Sequence, residues 1–244
     1  MTTIYAPSIV TPAPLAPRPA RRAAPLSVRV RAAAERAAWR AVHVAFPVAK
    51  RAIDVAVAGA ALVAVSPVLA AVAVAIKLED GGPLLYVRPR VGRGGRPFRF
   101  LKFRSMGTDA DAKRAALVSR SDDGDAVRFK MRNDPRVTRV GRVIRRLSID
   151  ELPQLWNVLR GDMTLVGPRP PIPAETAKYG PRDWARLDVT PGITCIWQVS
   201  GRADVPFPRQ VEMDLDYAAR RSLFLDLALL ARTVPAVLSG KGAC

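Results

Sequence analysis

The chain has 244 residues, and its 39 Lys and Arg against 21 Asp and Glu give a formal net charge of +18. With one histidine and two distant cysteines, histidine-based catalysis and thiolate metal sites are disfavoured, so any bound metal should be a hard cation held by carboxylates. The positive charge suits nucleic acid, an anionic membrane surface or phosphate-bearing substrates, although an aromatic content of 6% weakens the case for nucleobase stacking.

Residues 1–47 form a basic segment rich in Pro, Ala and Arg, with Glu35 as its only acid. Its apolar residues are too few and too scattered for a core, which predicts a largely disordered tail. An Ala/Arg helix over residues 26–46, lying on anionic lipid, is the alternative.

Residues 55–76 are apolar and carry no charge, and about 22 such residues make a helix long enough for a hydrocarbon core of roughly 30 Å. Ser66-Pro67 lies at the midpoint, where proline favours a break. Basic residues stand on both sides of this stretch, and such residues mark cytoplasmic flanks. The pattern therefore predicts a re-entrant helix-break-helix hairpin over residues 48–80. A spanning helix and a buried soluble helix remain alternatives.

The region from residue 81 onward begins with two alternating stretches typical of short strands, Leu84–Val87 and Pro97–Arg104, around a Gly- and Arg-rich loop. A short polar helix is predicted at Thr108–Lys113, and an acidic turn at 119–125. A further helix is predicted from Asp134-Pro135. Arginines recur along it at spacings of three and four, at Arg136, Arg139, Arg142, Arg145 and Arg146.

The acidic pair Asp150-Glu151 follows that basic stripe directly. One interpretation is a capping box, in which Ser148 and Glu151 cap a helix start. The other is catalytic: neighbouring carboxylates on a cationic surface can bind Mg²⁺ while one of them acts as a nucleophile. The two interpretations are compatible.

Two later segments share one pattern, a short apolar strand followed by a turn that presents an arginine. The first ends in Pro168-Arg169-Pro170, and the second, residues 191–202, ends in Gly201-Arg202. Arginine is suited to bidentate phosphate contacts, so both favour a phosphate site. The final apolar stretch, Leu223–Leu238, is interrupted by charged residues and Pro235, which favours an interfacial helix over a second span.

The motifs KFRSM (102–106), DPRVTRVGRVIRRLSIDELPQLWNVLRGDMTLVGPRP (134–170) and TPGITCIWQVSGR (190–202) resemble those of the bacterial sugar transferases. These are the monotopic phosphoglycosyl transferases, also called polyprenyl glycosylphosphotransferases. The resemblance covers residues 48 to 244 and keeps the order of the family's motifs. Cys195 departs from it, because the family usually has Gly there, and the long amino-terminal membrane module of larger members is replaced by the basic tail.

The resemblance implies transfer of a hexose-1-phosphate, such as that of galactose or glucose, from a UDP-sugar to undecaprenyl phosphate with release of UMP. It implies an α+β monotopic membrane protein. Such a protein has the hairpin at 48–80 broken at Ser66-Pro67, interfacial amphipathic helices, and a small mixed catalytic domain at 81–244 on the cytoplasmic face of the bacterial inner membrane. A homodimer is left open.

The same resemblance implies roles for single residues. Asp150 is the nucleophile that forms a covalent phosphosugar–aspartate, and Glu151 shares Mg²⁺ binding with it. Arg145 is a phosphate contact. The remaining basic positions that match family motifs are Lys102, Arg104, Arg169 and Arg202.

Two rival hypotheses accompany this one. A membrane-tethered nucleic-acid-binding protein would account for the net charge, but base-reading motifs are missing and aromatics are few, so no nucleic-acid partner is expected. A catalytically inactive scaffold of a polysaccharide assembly complex would keep the fold without releasing UMP from any UDP-sugar.

Overall fold

The computed structural model describes residues 30–31, 34–35, 45–117, 131 and 134–239. Residues 1–43 and 44–244 form separate units. In the first, Arg31 pairs with Glu35 on the surface at 3.0 Å. The predicted disorder of the tail falls almost entirely outside the described residues, as does the predicted acidic turn at 119–125.

The second unit contains short helices and strands after one long helix. Helix α1 covers Phe46–Asp80. The strands are β1 (Leu85–Val91), β2 (Pro97–Phe103), β3 (Thr164–Val166) and β4 (Gly192–Thr194). The other helices are α2 (Ala110–Leu117), α3 (Arg139–Arg146), α4 (Gln154–Arg160), α5 (Pro173–Thr176), α6 (Pro181–Trp184), α7 (Ile196–Ser200), α8 (Phe207–Arg220) and α9 (Leu223–Ser239).

The strands form two small sheets. The antiparallel hairpin β1–β2 confirms the two predicted strands. Strands β3 and β4 pair in parallel, with Thr164 opposite Gly192 and Val166 opposite Thr194. This mixture of helices with small sheets confirms the α+β class.

Helix α1 continues through Ser66-Pro67, so the prediction of two helices separated by a break is wrong for the secondary structure. Proline has no N–H, which leaves the carbonyl of Val63, four residues earlier, without its helical partner. The Ser66 hydroxyl donates to that same carbonyl oxygen at 2.8 Å. The hydroxyl thus replaces the missing backbone donor, a substitution known to keep proline tolerable inside membrane helices. Whether the helix enters and leaves a membrane on one side stays a prediction.

Helix α1 is mostly exposed although it is apolar. Within the described residues it is the one helix with the length and hydropathy needed to cross a membrane, and its buried positions are Asp54, Ala58 and Ile76. Val63, near its middle, is 75% exposed. Apolar surface of this extent indicates contact with lipid or protein rather than with water.

Both ends of α1 are bound to the rest of the second unit. Near the start, Arg51 donates to the carbonyl of Leu159 at 2.8 Å, and the buried Asp54 accepts from the Thr164 hydroxyl. At the other end, the carboxylate of Glu79 accepts from the backbone N–H of Arg139 at 2.7 Å. The two ends of the helix therefore meet the same folded body.

The core lies between α1 and the short elements. One cluster joins Ala58 of α1 to Val158, Met163, Val166 and Tyr217. A second joins the other end of α1, through Ile76, to Phe103 and Ile144. Because α1 supplies residues to both clusters, its removal would expose apolar surface on α3, α4 and β2.

Two predicted elements differ in their bounds. The helix predicted from Asp134 begins at Arg139, because the Thr138 side chain accepts from the Gly141 N–H and acts as the N-cap. The short apolar strand predicted within residues 191–202 ends at Thr194, and residues Ile196–Ser200 are helical. The helix predicted near the carboxyl end is present as α9, with Asp226 and Leu229 buried and Phe224 exposed. Its lipid contact stays a prediction.

Candidate active site

One face of the β1–β2 hairpin carries basic and aromatic side chains in alternation. Tyr86 lies opposite Lys102, and Arg90 lies opposite Phe98. The Lys102 ammonium lies 5.3 Å from the centre of the Tyr86 ring. Side chains that alternate along a strand share one face. The hairpin therefore presents a row of cations supported by aromatic rings.

Helix α3 positions Arg145 in its last turn. Gly141 brings the helix very close to the chain after β2, since a Cβ there would lie 2.0 Å from the carbonyl oxygen of Ser105. The carboxylate of Glu79 accepts from the first N–H groups of the helix, where negative charge is favourable. The close contact at Gly141 and the cap from Glu79 thus fix the orientation of α3, and with it the position of Arg145.

The acidic pair lies in a three-residue 3-10 turn, Ile149–Glu151, and not in the first turn of an α-helix. Ser148 before it has φ of 54° and makes no side-chain cap. The capping-box interpretation is therefore wrong: in the left-handed conformation the Ser148 hydroxyl does not reach the amide that a capping box requires. A non-glycine residue in this region is strained, and such strain is common beside functional residues.

Asp150 is 6% exposed and faces both a like charge and several opposite ones. Burial, followed by the neighbouring carboxylate of Glu151, raises its pKa to about 6, against the lowering effects of Lys102, Arg145 and Arg169. Desolvation and a like charge both disfavour ionisation. Asp150 is consequently an ionised but weakly solvated carboxylate near neutral pH.

Lys102 is the complementary cation. Burial lowers the pKa of Lys102 to about 8, and the charge of Asp150 partly opposes this shift. The structure thereby brings Lys102 and Arg145 beside the nucleophile predicted from the sequence. A buried lysine and a buried aspartate whose pKa values move toward each other are typical of a functional site.

Arg169 lies on the Glu151 side of the pair. Its Nη1 donates to Glu151 Oε1 at 3.2 Å. The Pro-Arg-Pro turn that carries it is anchored by the N–H of Val91, which donates to the carbonyl of Pro171 at 3.0 Å. The predicted turn therefore does present Arg169 at the acidic pair.

Two predicted phosphate contacts have other surroundings. Arg104 pairs with both carboxylate oxygens of Asp80, and its Nε donates to the carbonyl of Pro83 at 2.6 Å. Those bonds join the end of α1 to the end of β2. Arg202 begins a separate 3-10 turn, partly exposed, with φ of 52°. Their phosphate-binding roles stay predictions, and the geometry of Arg104 favours a structural role.

The acidic pair suits Mg²⁺ better than a metal ion whose ligands must all come from the protein. Among the described residues, no cluster of three or more His, Cys, Asp and Glu is placed to hold a metal. Magnesium is commonly bound by one or two carboxylates and completed by water and substrate phosphates. Asp150 and Glu151, with a cationic surface for those phosphates, fit that donor set.

Residues 45–240 match the family model described as bacterial sugar transferase. This chain belongs to the bacterial sugar transferase family. The matched segment includes α1, the acidic pair and all of α9.

Three curated relatives show how far this sugar transferase resembles known proteins. It is 41% identical over 198 residues to the exopolysaccharide production protein ExoY of Rhizobium meliloti, with 80% of this chain and 87% of ExoY covered. It is 43% identical over 205 residues to the UDP-glucose:undecaprenyl-phosphate glucose-1-phosphate transferase of Caulobacter vibrioides, covering 81% of this chain and 72% of that protein. It is 47% identical over 167 residues to the galactosyl transferase CpsE of Streptococcus agalactiae, covering 68% of this chain but 37% of CpsE.

Sequence reasoning about this sugar transferase missed Arg90, treating it only as a basic flank of the apolar stretch. Its guanidinium stacks on the Phe100 ring at 5.1 Å, and Nη1 donates to the carbonyl of Pro170 at 3.3 Å. The alternation of Tyr86, Arg88 and Arg90 along β1 was the available signal, because it places all three on the face that carries Lys102.

Proposed function

We propose that this protein transfers a hexose-1-phosphate from a UDP-sugar to undecaprenyl phosphate and releases UMP, as a membrane step of exopolysaccharide, O-antigen or capsule synthesis. The single observation that carries the proposal is Asp150, a buried carboxylate beside Glu151 and within electrostatic reach of Lys102, Arg145 and Arg169. A nucleophile with this environment suits attack on a polyanionic phosphate. The name of the Caulobacter relative, a UDP-glucose:undecaprenyl-phosphate glucose-1-phosphate transferase, supports the same reaction.

In the first half-reaction an Asp150 carboxylate oxygen attacks the phosphorus that bears the sugar. The bond from that phosphorus to the oxygen bridging the two phosphates breaks, and its electron pair stays on the departing UMP. The product is an acyl phosphate, a mixed anhydride of the Asp150 carboxylate with the sugar phosphate, and no proton is transferred. Lys102 and Arg145 stabilise the charge that develops around this phosphorus, because phosphoryl transfer depends mainly on positioning and electrostatics.

In the second half-reaction a phosphate oxygen of undecaprenyl phosphate attacks the same phosphorus. The bond to Asp150 breaks and the free carboxylate returns. This order predicts ping-pong kinetics. Asp150 and Glu151 would together hold Mg²⁺, which would supply positive charge to the diphosphate.

The lipid acceptor requires a site at headgroup level, and α1 supports such a placement. The ends of this exposed apolar helix are bound to the same folded body, through Arg51 and Glu79. A helix that crossed the bilayer would separate its ends by the roughly 30 Å hydrocarbon core. We therefore favour a re-entrant α1 in the bacterial inner membrane, with the catalytic body on the cytoplasmic face.

The proposal is tested with purified full-length protein, undecaprenyl phosphate, Mg²⁺ and a panel of UDP-sugars that includes UDP-glucose and UDP-galactose. We expect UMP release with at least one donor, and the panel identifies the sugar. Asp150→Asn should abolish release, whereas Asp188→Asn, which changes an exposed carboxylate on the surface, should leave it intact. Full activity of a correctly folded Asp150→Asn protein would overturn the assignment of the nucleophile.

A further inference from the structure

Arg90 has an arrangement that the reaction described above leaves unused. Within the described residues its side chain makes one hydrogen bond, the 3.3 Å contact from Nη1 to the carbonyl of Pro170. Its Nε is shielded from solvent and has no hydrogen-bond partner within the described part of the chain. A buried N–H group without a partner is unfavourable, and a guanidinium has five such donors. An incoming anion would satisfy them.

Charges around Arg90 show where that anion would lie. Burial, followed by the like charge of Arg169, lowers the pKa of Arg90 to about 10, with Glu175 and Glu151 acting in the opposite direction. Arg90 and Arg169 are thus two neighbouring cations, and Glu151 is hydrogen-bonded to Arg169. Two guanidinium groups held together in this way are typical of a site for phosphate oxygens.

The cations of the site fall into two groups. Lys102 and Arg145 are, with Arg169, the positive charges that act most strongly on Asp150. Arg90 instead interacts most strongly with Arg169 and Glu175, and its Nη1 donates to the carbonyl of Pro170 in the Pro-Arg-Pro turn. Arg169 belongs to both groups. A donor with two linked phosphates matches this arrangement, since its reacting phosphorus must lie at Asp150 and its second phosphate must lie one bridging oxygen away.

We propose that Arg90, together with Arg169, binds the phosphate of the donor that departs as UMP. This inference rests on the proposed function. It adds a residue to the donor site. Because attack and departure at the phosphorus are roughly in line, the phosphate of undecaprenyl phosphate enters at the position that UMP vacates, so Arg90 meets a phosphate in both half-reactions.

The test compares equilibrium binding of UMP and of uridine, measured by calorimetry on the full chain in detergent. In Arg90→Gln we expect UMP affinity to fall at least about tenfold, the factor associated with losing one hydrogen bond to a charged group. Uridine affinity should not change, because uridine has no phosphate. Arg99→Gln is the matched control: Arg99 is exposed on the paired strand, opposite Pro89, and so lies on the other face of the hairpin. It should bind UMP as the wild type does.

Steady-state kinetics separate the two sources of phosphate. In a ping-pong reaction kcat/KM for each substrate reports its own half-reaction, so Arg90→Gln should lower kcat/KM for the UDP-sugar and also that for undecaprenyl phosphate, whose phosphate enters where UMP departed. A loss confined to undecaprenyl phosphate would assign Arg90 to the lipid and overturn the inference. Unchanged UMP affinity would overturn it too.

Two further results keep this inference separate from the proposed function. A wild type that binds UMP but turns over no donor would contradict the proposed function and leave the Arg90 site standing. If Arg90→Gln does not fold, Arg90→Lys provides the test, since a lysine keeps the charge but loses the planar fork. We expect it to bind UMP with intermediate affinity, and wild-type affinity would count against the inference.

Discussion

Asp150 and Lys102 are neighbours whose pKa values are shifted toward neutrality from opposite directions. Burial is the leading cause for both, since it disfavours the carboxylate and the ammonium alike. Each charge then partly offsets the desolvation of the other. Asp150, the proposed nucleophile, is consequently less solvated than a surface aspartate, and the positively charged Lys102 remains close to it.

The first consequence is a bell-shaped dependence of kcat/KM for the UDP-sugar on pH. Activity should fall below pH 6 as Asp150 becomes protonated, and above pH 8 as Lys102 loses its proton. The two pKa values read from this profile describe Asp150 and Lys102 as an interacting pair, so they are apparent values and belong to neither residue alone. Lys102→Arg should extend the alkaline limb, because arginine stays charged. A flat profile between pH 5 and pH 9, about one unit beyond each limb, would contradict this assignment.

The second consequence concerns stability. Because the pKa of Asp150 in the folded protein lies above its ordinary value of 3.8, ionisation of Asp150 opposes folding. This opposition is fully present above pH 6, absent below the ordinary value, and amounts to at most about 3 kcal/mol. Asp150→Asn should therefore raise Tm at pH 8.

Thermal unfolding at two pH values checks this prediction. The gain in Tm of Asp150→Asn over wild type should shrink toward zero near about pH 3, below the ordinary pKa of 3.8, where Asp150 is largely neutral in both folded and unfolded states. Asp188→Asn, an exposed change, should show no comparable dependence on pH. A Tm of Asp150→Asn below that of the wild type at pH 8 would show that the ionised carboxylate stabilises the fold.

At the scale of elements, the site depends on how α1 and α3 are held. The final residues of α1 bind two elements of the candidate site: Glu79 caps α3, which ends in Arg145, and Asp80 pairs with Arg104 just after the strand that carries Lys102. Movement at this end of α1 would therefore displace two cations of the candidate site. Helix α1 is thus part of the scaffold of that site.

The close approach of α3 can be tested by adding one methyl group. Gly141→Ala would place its Cβ 2.0 Å from the Ser105 carbonyl oxygen, which is backbone and has little freedom to move. We expect a loss of about 2 kcal/mol or more in unfolding free energy and reduced kcat, through displacement of Arg145.

Gly59→Ala on α1 is the matched control, because its nearest neighbour is a side-chain methyl of Leu159 at 4.0 Å. A helix prefers alanine to glycine by about 0.8–1 kcal/mol, so this variant should be neutral or stabilised. Equal effects of the two variants, measured by unfolding in detergent, would refute the tight contact of α3.

The continuity of α1 is tested by a double-mutant cycle at its proline. Ser66→Ala removes the hydroxyl that donates to the Val63 carbonyl, and should destabilise the protein by about 1 kcal/mol. In a Pro67→Ala background the backbone N–H returns, so the same Ser66→Ala change should have little effect. Equal effects in the two backgrounds would show that the hydroxyl does not replace the proline's missing donor.

At the scale of the whole molecule, the question is which sides of a membrane the ends of α1 occupy. Val48 and Leu78 are exposed near the two ends, and Val63 is exposed at the middle. Single cysteines at Val48 and Leu78, in a chain lacking Cys195 and Cys244, should both react with a membrane-impermeant maleimide from the cytoplasmic side. A cysteine at Val63 should be protected. Labelling of Val48 and Leu78 from opposite sides would exclude the re-entrant arrangement.

Much of the site could be predicted from local sequence. The acidic pair, the basic residues before it and the Pro-Arg-Pro turn are short segments, and their residue types alone indicate their chemistry. Arg104 and Arg90 show the limit of prediction from local sequence. Both are basic residues of the hairpin region, and their partners, Asp80 and Pro170, are distant in sequence. Composition and spacing do not show which of two arginines is ion-paired with a carboxylate, as Arg104 is with Asp80.

The sequence by itself determined the apolar helix, the hairpin strands, the charge and the family, because each depends on side-chain type and short-range periodicity. Only the tertiary structure decided that Ser148 is left-handed, that Asp150 is buried with a pKa near 6, and that both ends of α1 contact one body. Burial and the distances between charges arise from packing of segments far apart in the chain. They set the desolvation and Coulomb energies that make an ordinary Asp-Glu pair a candidate nucleophile and its partner.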